Sequence, residues 1–199
     1  MVESGVILFL TNNDISFEVY KWLKKSEKVI LYNDKLTLDV VLTIQPSYII
    51  SYNYKYIITN DIIQFMQNKI INMHISLLPY NKGASPNFFS FYDNTPKGVT
   101  IHLIDKGIDT GDILCQKEVY FDEEDETWES SYLKLHQQIQ QLFYENWESI
   151  KNGNIMPSKQ YGNGTFHTKA ELKELKQRFP FSWNETIAEY KKKYNIGGL

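Results

Sequence analysis

Short apolar runs alternate with helical segments over the first fifty residues, and this alternation constrains the fold more than any other feature of the chain. The apolar runs are residues 6–10, 29–32 and 48–50. Each is typical of a strand buried on both faces, and apolar residues recur at helical spacing between them. Strands and helices that alternate at this pace predict parallel β/α units with right-handed crossovers. We therefore expect an α/β fold with a Rossmann-like, mostly parallel sheet flanked by helices.

The remainder of the chain continues this pattern and adds a hairpin and a helical end. Two strands separated by a loop rich in glycine and aspartate can pair as an antiparallel hairpin at the sheet edge. A long helix follows, with His136 expected at its rim. The expected elements are a helix at 60–66, strands at 99–104 and 113–121, a long helix at 128–150, and short helices at 169–178 and 185–194.

Length and charge restrict the class of protein. The 199 residues suit one main domain, expected at residues 1–157, with a short C-terminal extension packed on it at 158–199. The formal net charge of −3 and a pI near 5.8 argue against a dedicated nucleic-acid binder. No segment approaches the roughly 20 apolar residues that a membrane span needs.

The N-terminal segment and the lack of an apolar span indicate a cytoplasmic location, and the cysteine content restricts the chemistry. No basic residue precedes the first apolar run, which favours a first strand over a signal peptide. The single cysteine, Cys115, excludes an internal disulfide and a cysteine cage for a metal.

Residues 70–83 (IINMHISLLPYNKG) carry polar side chains where a strand is expected to end. Asn72 and His74 are two residues apart, so their side chains project to the same face of a strand. Pro79 stops the strand, and Gly83 suits the turn that follows. Ligands of parallel sheets bind at the carboxyl ends of the strands. The pair is a candidate site, although a strand N-x-H on its own is more often structural.

The loop at residues 105–111 (DKGIDTG) supplies a carboxylate between glycines that allow close approach to a ligand. A carboxylate can orient an imidazole, as in catalytic His–Asp pairs. If Asp109 reaches His74, then Asn72, His74 and Asp109 form a polar triad whose amide can donate to a developing oxyanion. The chain needs no serine or cysteine nucleophile, because the substrate can supply one.

Together the two segments resemble the formyltransferases that use N10-formyltetrahydrofolate. One family motif is Asn-x-His followed by S-L-L-P and a glycine-containing loop, which here extends from Asn72 to Gly83. The other is a G-x-T-x-H strand, then D-x-G and an I-x-x-Q strand, found here at 98–102, 109–111 and 113–116. The resemblance covers residues 49–119 closely and the flanks loosely.

This resemblance implies an enzyme in which an amine of the acceptor attacks the formyl carbon of the folate. Asn72 and protonated His74 would stabilise the oxyanion, while Asp109 would hold His74 and help to remove the amine proton. Folate would be a co-substrate, and no metal is implied. The expected folate contacts are Tyr54, Lys55, Tyr56, Ile57, Asp105 and Ile108.

The resemblance extends to the acceptor through weaker signals. Residues 86–102 and the run GTFH at 164–167 look most like the family members that formylate nucleotide-linked amino sugars, for example a dTDP-linked amino-dideoxyhexose used in surface polysaccharide synthesis. Lys82 and His102 are then candidate contacts to this small-molecule substrate. Aromatic residues near the C-terminus would suit a homodimer.

Other functions remain open at this point. The acceptor could be glycinamide ribonucleotide, a carrier-bound aminoacyl group or methionyl-tRNA. The acidic pI counts against tRNA, as does the absence of the larger C-terminal module of the tRNA-specific members. From a different class, the chain could be a folate- or nucleotide-binding module without catalysis, against which the intact triad argues.

Overall fold

The computed structural model describes residues 5–197, with eight strands and seven helices. The strands are β1 (Ile7–Leu10), β2 (Val29–Tyr32), β3 (Tyr48–Tyr52), β4 (Ile70–His74), β5 (Lys82–Gly83), β6 (Gly98–Leu103), β7 (Ile113–Glu118) and β8 (Phe166–His167). The helices are α1 (Phe17–Leu23), α2 (Leu38–Ile44), α3 (Asn60–Met66), α4 (Pro86–Tyr92), α5 (Trp128–Lys151), α6 (Lys169–Arg178) and α7 (Ile187–Tyr194). No helix in this part of the chain is long and apolar enough to cross a membrane. Residues 1–4, part of the N-terminal segment that is not expected to be a signal peptide, lie outside the described residues.

Six strands form one sheet in the order β2-β1-β3-β4-β6-β7. β1 pairs in parallel with β2 and with β3, and β3 pairs in parallel with β4. Every residue of β1 is buried, which accounts for its uninterrupted apolar sequence. The predicted α/β class with a mostly parallel sheet is confirmed.

β6 and β7 complete the sheet. β6 is antiparallel to β4, and β7 is antiparallel to β6. The Ile104 N–H donates to the Ile70 carbonyl at 2.9 Å, so the end of β6 lies beside the start of β4 and the two strands run in opposite directions. The Leu103 N–H donates to the Asp112 carbonyl at 2.9 Å, at the loop that joins β6 to β7. The predicted hairpin at the sheet edge is therefore confirmed, although β7 is three residues shorter than predicted.

The chain forms two compact units, each discontinuous in sequence. The first comprises the residues up to His74, Ile101–Leu114 and Glu145–Lys159. The second comprises Ile75–Thr100, Cys115–Tyr144 and the residues from Gln160 onward. The division into a catalytic domain at 1–157 and an extension at 158–199 stays a prediction.

Each unit has its own apolar core. The core of the first unit joins strand residues to α2 and α3, and includes Leu8, Leu10, Val41, Ile49, Ile62 and Ile70. The core of the second unit is mostly aromatic, and includes Phe88, Phe89, Phe91, Trp128, Ile187 and Tyr190. Because α7 contributes two of these buried residues, the C-terminal helices are held by apolar burial and not by polar contacts alone.

Threonine caps define the starts of the last two helices. The Thr168 hydroxyl accepts from the Glu171 N–H in a capping box, and α6 has the predicted bounds. α7 begins at Ile187, two residues later than predicted. The reason is that Thr186 has an extended backbone and accepts from the Glu189 N–H in a second capping box.

Candidate active site

β4 carries two polar side chains at its carboxyl half. Its apolar residues Ile70, Ile71 and Met73 are buried and anchor the strand in the sheet. Asn72 is half-buried, and His74 is only 8% exposed. The structure therefore places an amide and an imidazole at the end of a buried strand, as the sequence pattern predicts.

Asp109 lies against both of these side chains. Its Oδ1 accepts from the Asn72 Nδ2 at 3.3 Å, and its Oδ2 is 3.8 Å from the His74 Nε2. The Asp109 side chain is 13% exposed. The three residues predicted from the sequence are thus brought together, with the carboxylate closer to the amide than to His74.

The loop that presents Asp109 is fixed by its own side chains. Asp109 has a φ of +54°, a left-handed conformation that is uncommon outside glycine but tolerated by aspartate. The Asp105 Oδ1 accepts from the Gly107 N–H at 3.0 Å and from the Thr110 hydroxyl at 2.6 Å. A Cβ at Gly111 would overlap the Leu103 carbonyl oxygen. These contacts fix the turn in which the strained residue supplies the carboxylate.

His102 belongs to the same cluster, a position that the sequence pattern does not predict. It is 2% exposed, and its Nδ1 is 2.8 Å from the Leu103 carbonyl oxygen. Its Nε2 is 3.2 Å from the Asn72 Nδ2 and 3.5 Å from the Asp109 Oδ1. Both ring nitrogens have protein partners, so the predicted contact of His102 with an acceptor stays a prediction. The position of His102 depends on the register of β6 against β4, which cannot be read from the sequence.

The residues predicted to hold folate lie in two loops of the first unit. The Tyr54 hydroxyl donates to the Asp34 carbonyl at 2.5 Å and accepts from the Leu36 N–H at 2.8 Å, and burial raises the pKa of Tyr54. The Lys55 N–H donates to the Asn12 side chain at 3.0 Å.

These contacts make the loop after β3 an ordered surface next to the loop after β1. The Tyr54 and Tyr56 rings meet edge to face at 5.4 Å, while Ile57 is 75% exposed and Ile108 is 47% exposed. Exposed isoleucines at loop tips can supply apolar contacts to a planar ligand. The folate contacts of these loops, and of Asp105, stay predictions.

Lys82 lies in the second unit, in the two-residue strand β5. This strand pairs in parallel with β8, so that Lys82 faces Phe166 and Gly83 faces His167. The Lys82 N–H donates to the Thr165 carbonyl at 3.0 Å. The side chain is half-buried, and its predicted contact with the acceptor stays a prediction.

The chemical capacity of the cluster follows from its groups. Asn72 is an amide donor, His74 and His102 are imidazoles, and Asp109 is a carboxylate in a site with little water. Such a set can stabilise an oxyanion and accept a proton, without forming a covalent intermediate with the protein. Among the described residues, no group of three or more histidine, cysteine or carboxylate side chains is arranged to hold a metal ion.

An amide, an imidazole and a carboxylate thus converge at the end of β4 in an α/β sheet. The family model for formyl transferases matches residues 10–146, which include this entire cluster. The chain belongs to the formyl transferase family.

Curated relatives in this family act on different acceptors. The methionyl-tRNA formyltransferase of Clostridium botulinum is 33% identical over 160 residues, which are 78% of this chain and 49% of that protein. The dTDP-4-amino-4,6-dideoxyglucose formyltransferase of Mycobacterium tuberculosis is 31% identical over 112 residues, which are 55% of this chain and 46% of that protein. The chain spans about half the length of the curated relatives it matches.

A solved structure resembles this chain over nearly the whole length of both. The formyltransferase PseJ from Anoxybacillus kamchatkensis is 36% identical, and its TM-score is 0.85. The match covers 94% of this chain and 97% of PseJ. That structure is a complex with UDP-4,6-dideoxy-4-formamido-L-AltNAc and tetrahydrofolate.

Proposed function

We propose that this protein transfers the formyl group of N10-formyltetrahydrofolate to the amine of a nucleotide-linked amino sugar. The observation that carries the proposal is the convergence of Asn72, His74 and Asp109 within 4 Å contacts at the end of β4. Family membership supports the folate-dependent chemistry. The likeness to PseJ, which covers both chains almost fully, supports a sugar-nucleotide acceptor.

The proposed reaction needs two proton movements and one oxyanion. The acceptor amine forms a bond to the formyl carbon, and the carbonyl electrons move to the oxygen. Asn72 and protonated His74 donate to that oxygen, and Asp109 stabilises the charge on His74. The intermediate collapses by cleavage of its bond to N10, which takes up a proton as the former amine loses one. The products are a formamide and tetrahydrofolate.

The nucleotide part of the acceptor is the finer part of this proposal. The PseJ complex favours a UDP-linked sugar, whereas the mycobacterial relative favours a dTDP-linked sugar. Lys82 suits the diphosphate that both share, because it is a half-buried cation held by the pairing of β5 with β8. The tyrosines and Ile57 of the loop after β3 are the proposed folate contacts.

Methionyl-tRNA is the second candidate acceptor, because several relatives at about 30% identity carry that activity. The matched residues make up only about half of each of these relatives. The net charge of −3 gives no general attraction to the phosphates of a tRNA.

A transfer assay with a panel of amines tests the proposal. N10-formyltetrahydrofolate is held constant, and UDP- and dTDP-amino sugars, glycinamide ribonucleotide, a carrier-bound aminoacyl group and methionyl-tRNA are compared. Formamide is detected by mass spectrometry, and tetrahydrofolate by absorbance. Among these amines, we expect only an amino sugar nucleotide to be formylated.

The other outcomes separate the parts of the proposal. Turnover with methionyl-tRNA or glycinamide ribonucleotide would contradict the proposed acceptor but not the proposed formyl-transfer chemistry. If folate raised the thermal stability and no amine were formylated, the chain would be a binding module. A ligand at a hundred times its Kd stabilises the folded state by about 2.7 kcal/mol, which a thermal shift detects readily.

A further inference from the structure

The amide nitrogen of Asn72 has two protein partners in the cluster. Its Nδ2 is 3.2 Å from the His102 Nε2 and 3.3 Å from the Asp109 Oδ1. An amide nitrogen carries two hydrogens, so both are used within the protein. An oxyanion therefore cannot receive a hydrogen bond from Asn72 until one of these two hydrogen bonds is broken.

The tautomer of His102 follows from its other nitrogen. The Nδ1 is 2.8 Å from the Leu103 carbonyl oxygen, which can only accept, so Nδ1 carries a hydrogen. In the neutral ring, Nε2 is then an acceptor, and it requires the NH2 group of Asn72 rather than the amide oxygen. At 2% exposure, water does not compete for this bond, so His102 and Asp109 together determine which way the amide of Asn72 faces, and His102 alone does so once Asp109 yields.

We propose that His102, as the neutral Nδ1–H tautomer, is a positioning residue that orients Asn72 for transfer. This inference rests on the proposed function. His102 holds one amide hydrogen, and the developing oxyanion takes the other from Asp109. Asp109 is the partner that yields, because it also contacts His74, whereas release of His102 would leave a buried acceptor unsatisfied. The exchange frees Asp109 to stabilise protonated His74.

A purely structural role for His102 makes a different prediction, and two substitutions separate the roles. His102→Asn retains a side-chain N–H close to the position of Nδ1, so it can still donate to Leu103, but it has no acceptor for Asn72. His102→Gln places an amide oxygen close to the position of Nε2, so it retains that acceptor and loses the donor to Leu103. A structural anchor depends on the first bond, and a positioning residue depends on the second.

The kinetic test compares the two variants with the wild type on the amine identified by the panel. We expect His102→Asn to lower kcat about a hundredfold, as for loss of an oxyanion donor, with the KM for folate within a factor of two. His102→Gln should retain kcat within about tenfold of the wild type. If His102→Gln were as slow as His102→Asn, or if His102→Asn kept wild-type kcat, the proposal would be overturned.

Coupling to Asn72 provides the second kinetic readout. If His102 acts through Asn72, the His102→Asn change should lower kcat less than threefold in an Asn72→Ala background, because effects on one shared interaction are not additive. A full hundredfold further loss in the double variant would contradict the proposal.

A spectroscopic readout keeps this inference separate from the proposed function. Long-range proton–nitrogen correlation of the 15N-labelled wild type reports which imidazole nitrogens carry hydrogen, and the signals lost in His102→Gln identify residue 102. We expect a protonated Nδ1 and an unprotonated Nε2 at neutral pH, whether or not any amine is formylated. A protonated Nε2 would overturn the inference even in an active enzyme, and failure of the amine panel alone would count only against the proposed function.

Discussion

Asp109 is where backbone strain and charge coincide in this protein. The loop around Asp109 is fixed by hydrogen bonds, and Asp109 itself has a φ of +54°. This conformation places its carboxylate against Asn72 and His74. Asp109→Asn keeps the shape of the side chain and removes the charge that would stabilise protonated His74. We expect unchanged folding and folate binding, and a kcat about a hundred- to a thousandfold lower.

Steady-state kinetics, folate titration and a melting curve test this prediction for Asp109. The matched control is Asp112→Asn in the same loop, where the carboxylate pairs with Lys159 at 2.9 Å on the surface. That variant should keep kcat within about threefold, because exposed ion pairs contribute little. Wild-type turnover in Asp109→Asn would remove Asp109 from the proposed mechanism.

His136 makes stability depend on pH for a reason unrelated to the site. The sequence predicts a position at the rim of α5, but His136 is 1% exposed and its ring centroid lies 4.3 Å from that of Tyr132. Burial lowers the pKa of His136 to about 3. In the unfolded chain this histidine binds a proton near pH 6.5, whereas in the folded chain it stays neutral until the pH approaches 3. The stabilising contribution is present above pH 6.5 and decreases as the pH falls toward 3.

We predict that His136 alone lowers the free energy of unfolding by about 1.4 kcal/mol for each pH unit between pH 6 and pH 4. Denaturant unfolding of the wild type and of His136→Leu at pH 7, 6, 5 and 4 measures this slope. The wild type should lose stability more steeply than the variant, because carboxylates contribute equally to both. Parallel curves would show that His136 does not titrate as its burial requires.

The pairing of β5 with β8 depends on glycines that leave no room for a side chain. A Cβ at Gly164 would overlap the Pro79 carbonyl oxygen, and one at Gly83 would overlap the His167 carbonyl oxygen. Thr165 joins the same contact by accepting from the Asn81 N–H at 2.7 Å. The segment from 164 to 167 is therefore docked on the loop that carries Lys82.

We predict that Gly164→Ala loosens this pairing and lowers stability by about 1–3 kcal/mol. If Lys82 binds the acceptor, the variant should also raise the KM for the acceptor more than the KM for folate. Gly162→Ala is the control, because a Cβ there meets nothing within 4 Å, although its φ of +88° is strained. A wild-type melting temperature for Gly164→Ala would show that a Cβ beside Pro79 does not disturb the pairing.

Local patterns were enough to predict most elements, because helices and buried strands depend on spacing within one segment. Thus α3 and α6 have the predicted bounds, and the parallel strands lie where the apolar runs are. The sequence does not predict the pairing of β5 with β8, because this pairing joins two short glycine-containing runs 84 residues apart. Two local motifs predict Asn72, His74 and Asp109. The position of His102 depends instead on the register of β6 against β4, which no local pattern gives.

At the scale of the whole chain, charge separates the two candidate acceptors. Acidic residues outnumber basic ones by 24 to 21, so a tRNA would have to be held by a few local contacts. A sugar nucleotide carries only a diphosphate, which one lysine such as Lys82 can match. The family includes proteins with both kinds of acceptor, so the balance of charge gives information that the family alone does not.

This difference predicts how activity responds to salt. With an amino sugar nucleotide, we expect kcat/KM to fall by less than about tenfold between 50 and 200 mM KCl, because few phosphate contacts are screened. A protein that holds a tRNA through six to ten phosphate contacts would lose roughly a thousandfold or more in affinity over this range. Kinetics with each acceptor at four salt concentrations measure the slope, and the Lys82→Ala variant should have a shallower slope than the wild type. A steep loss with the sugar nucleotide would mean that more cations than Lys82 contact the acceptor.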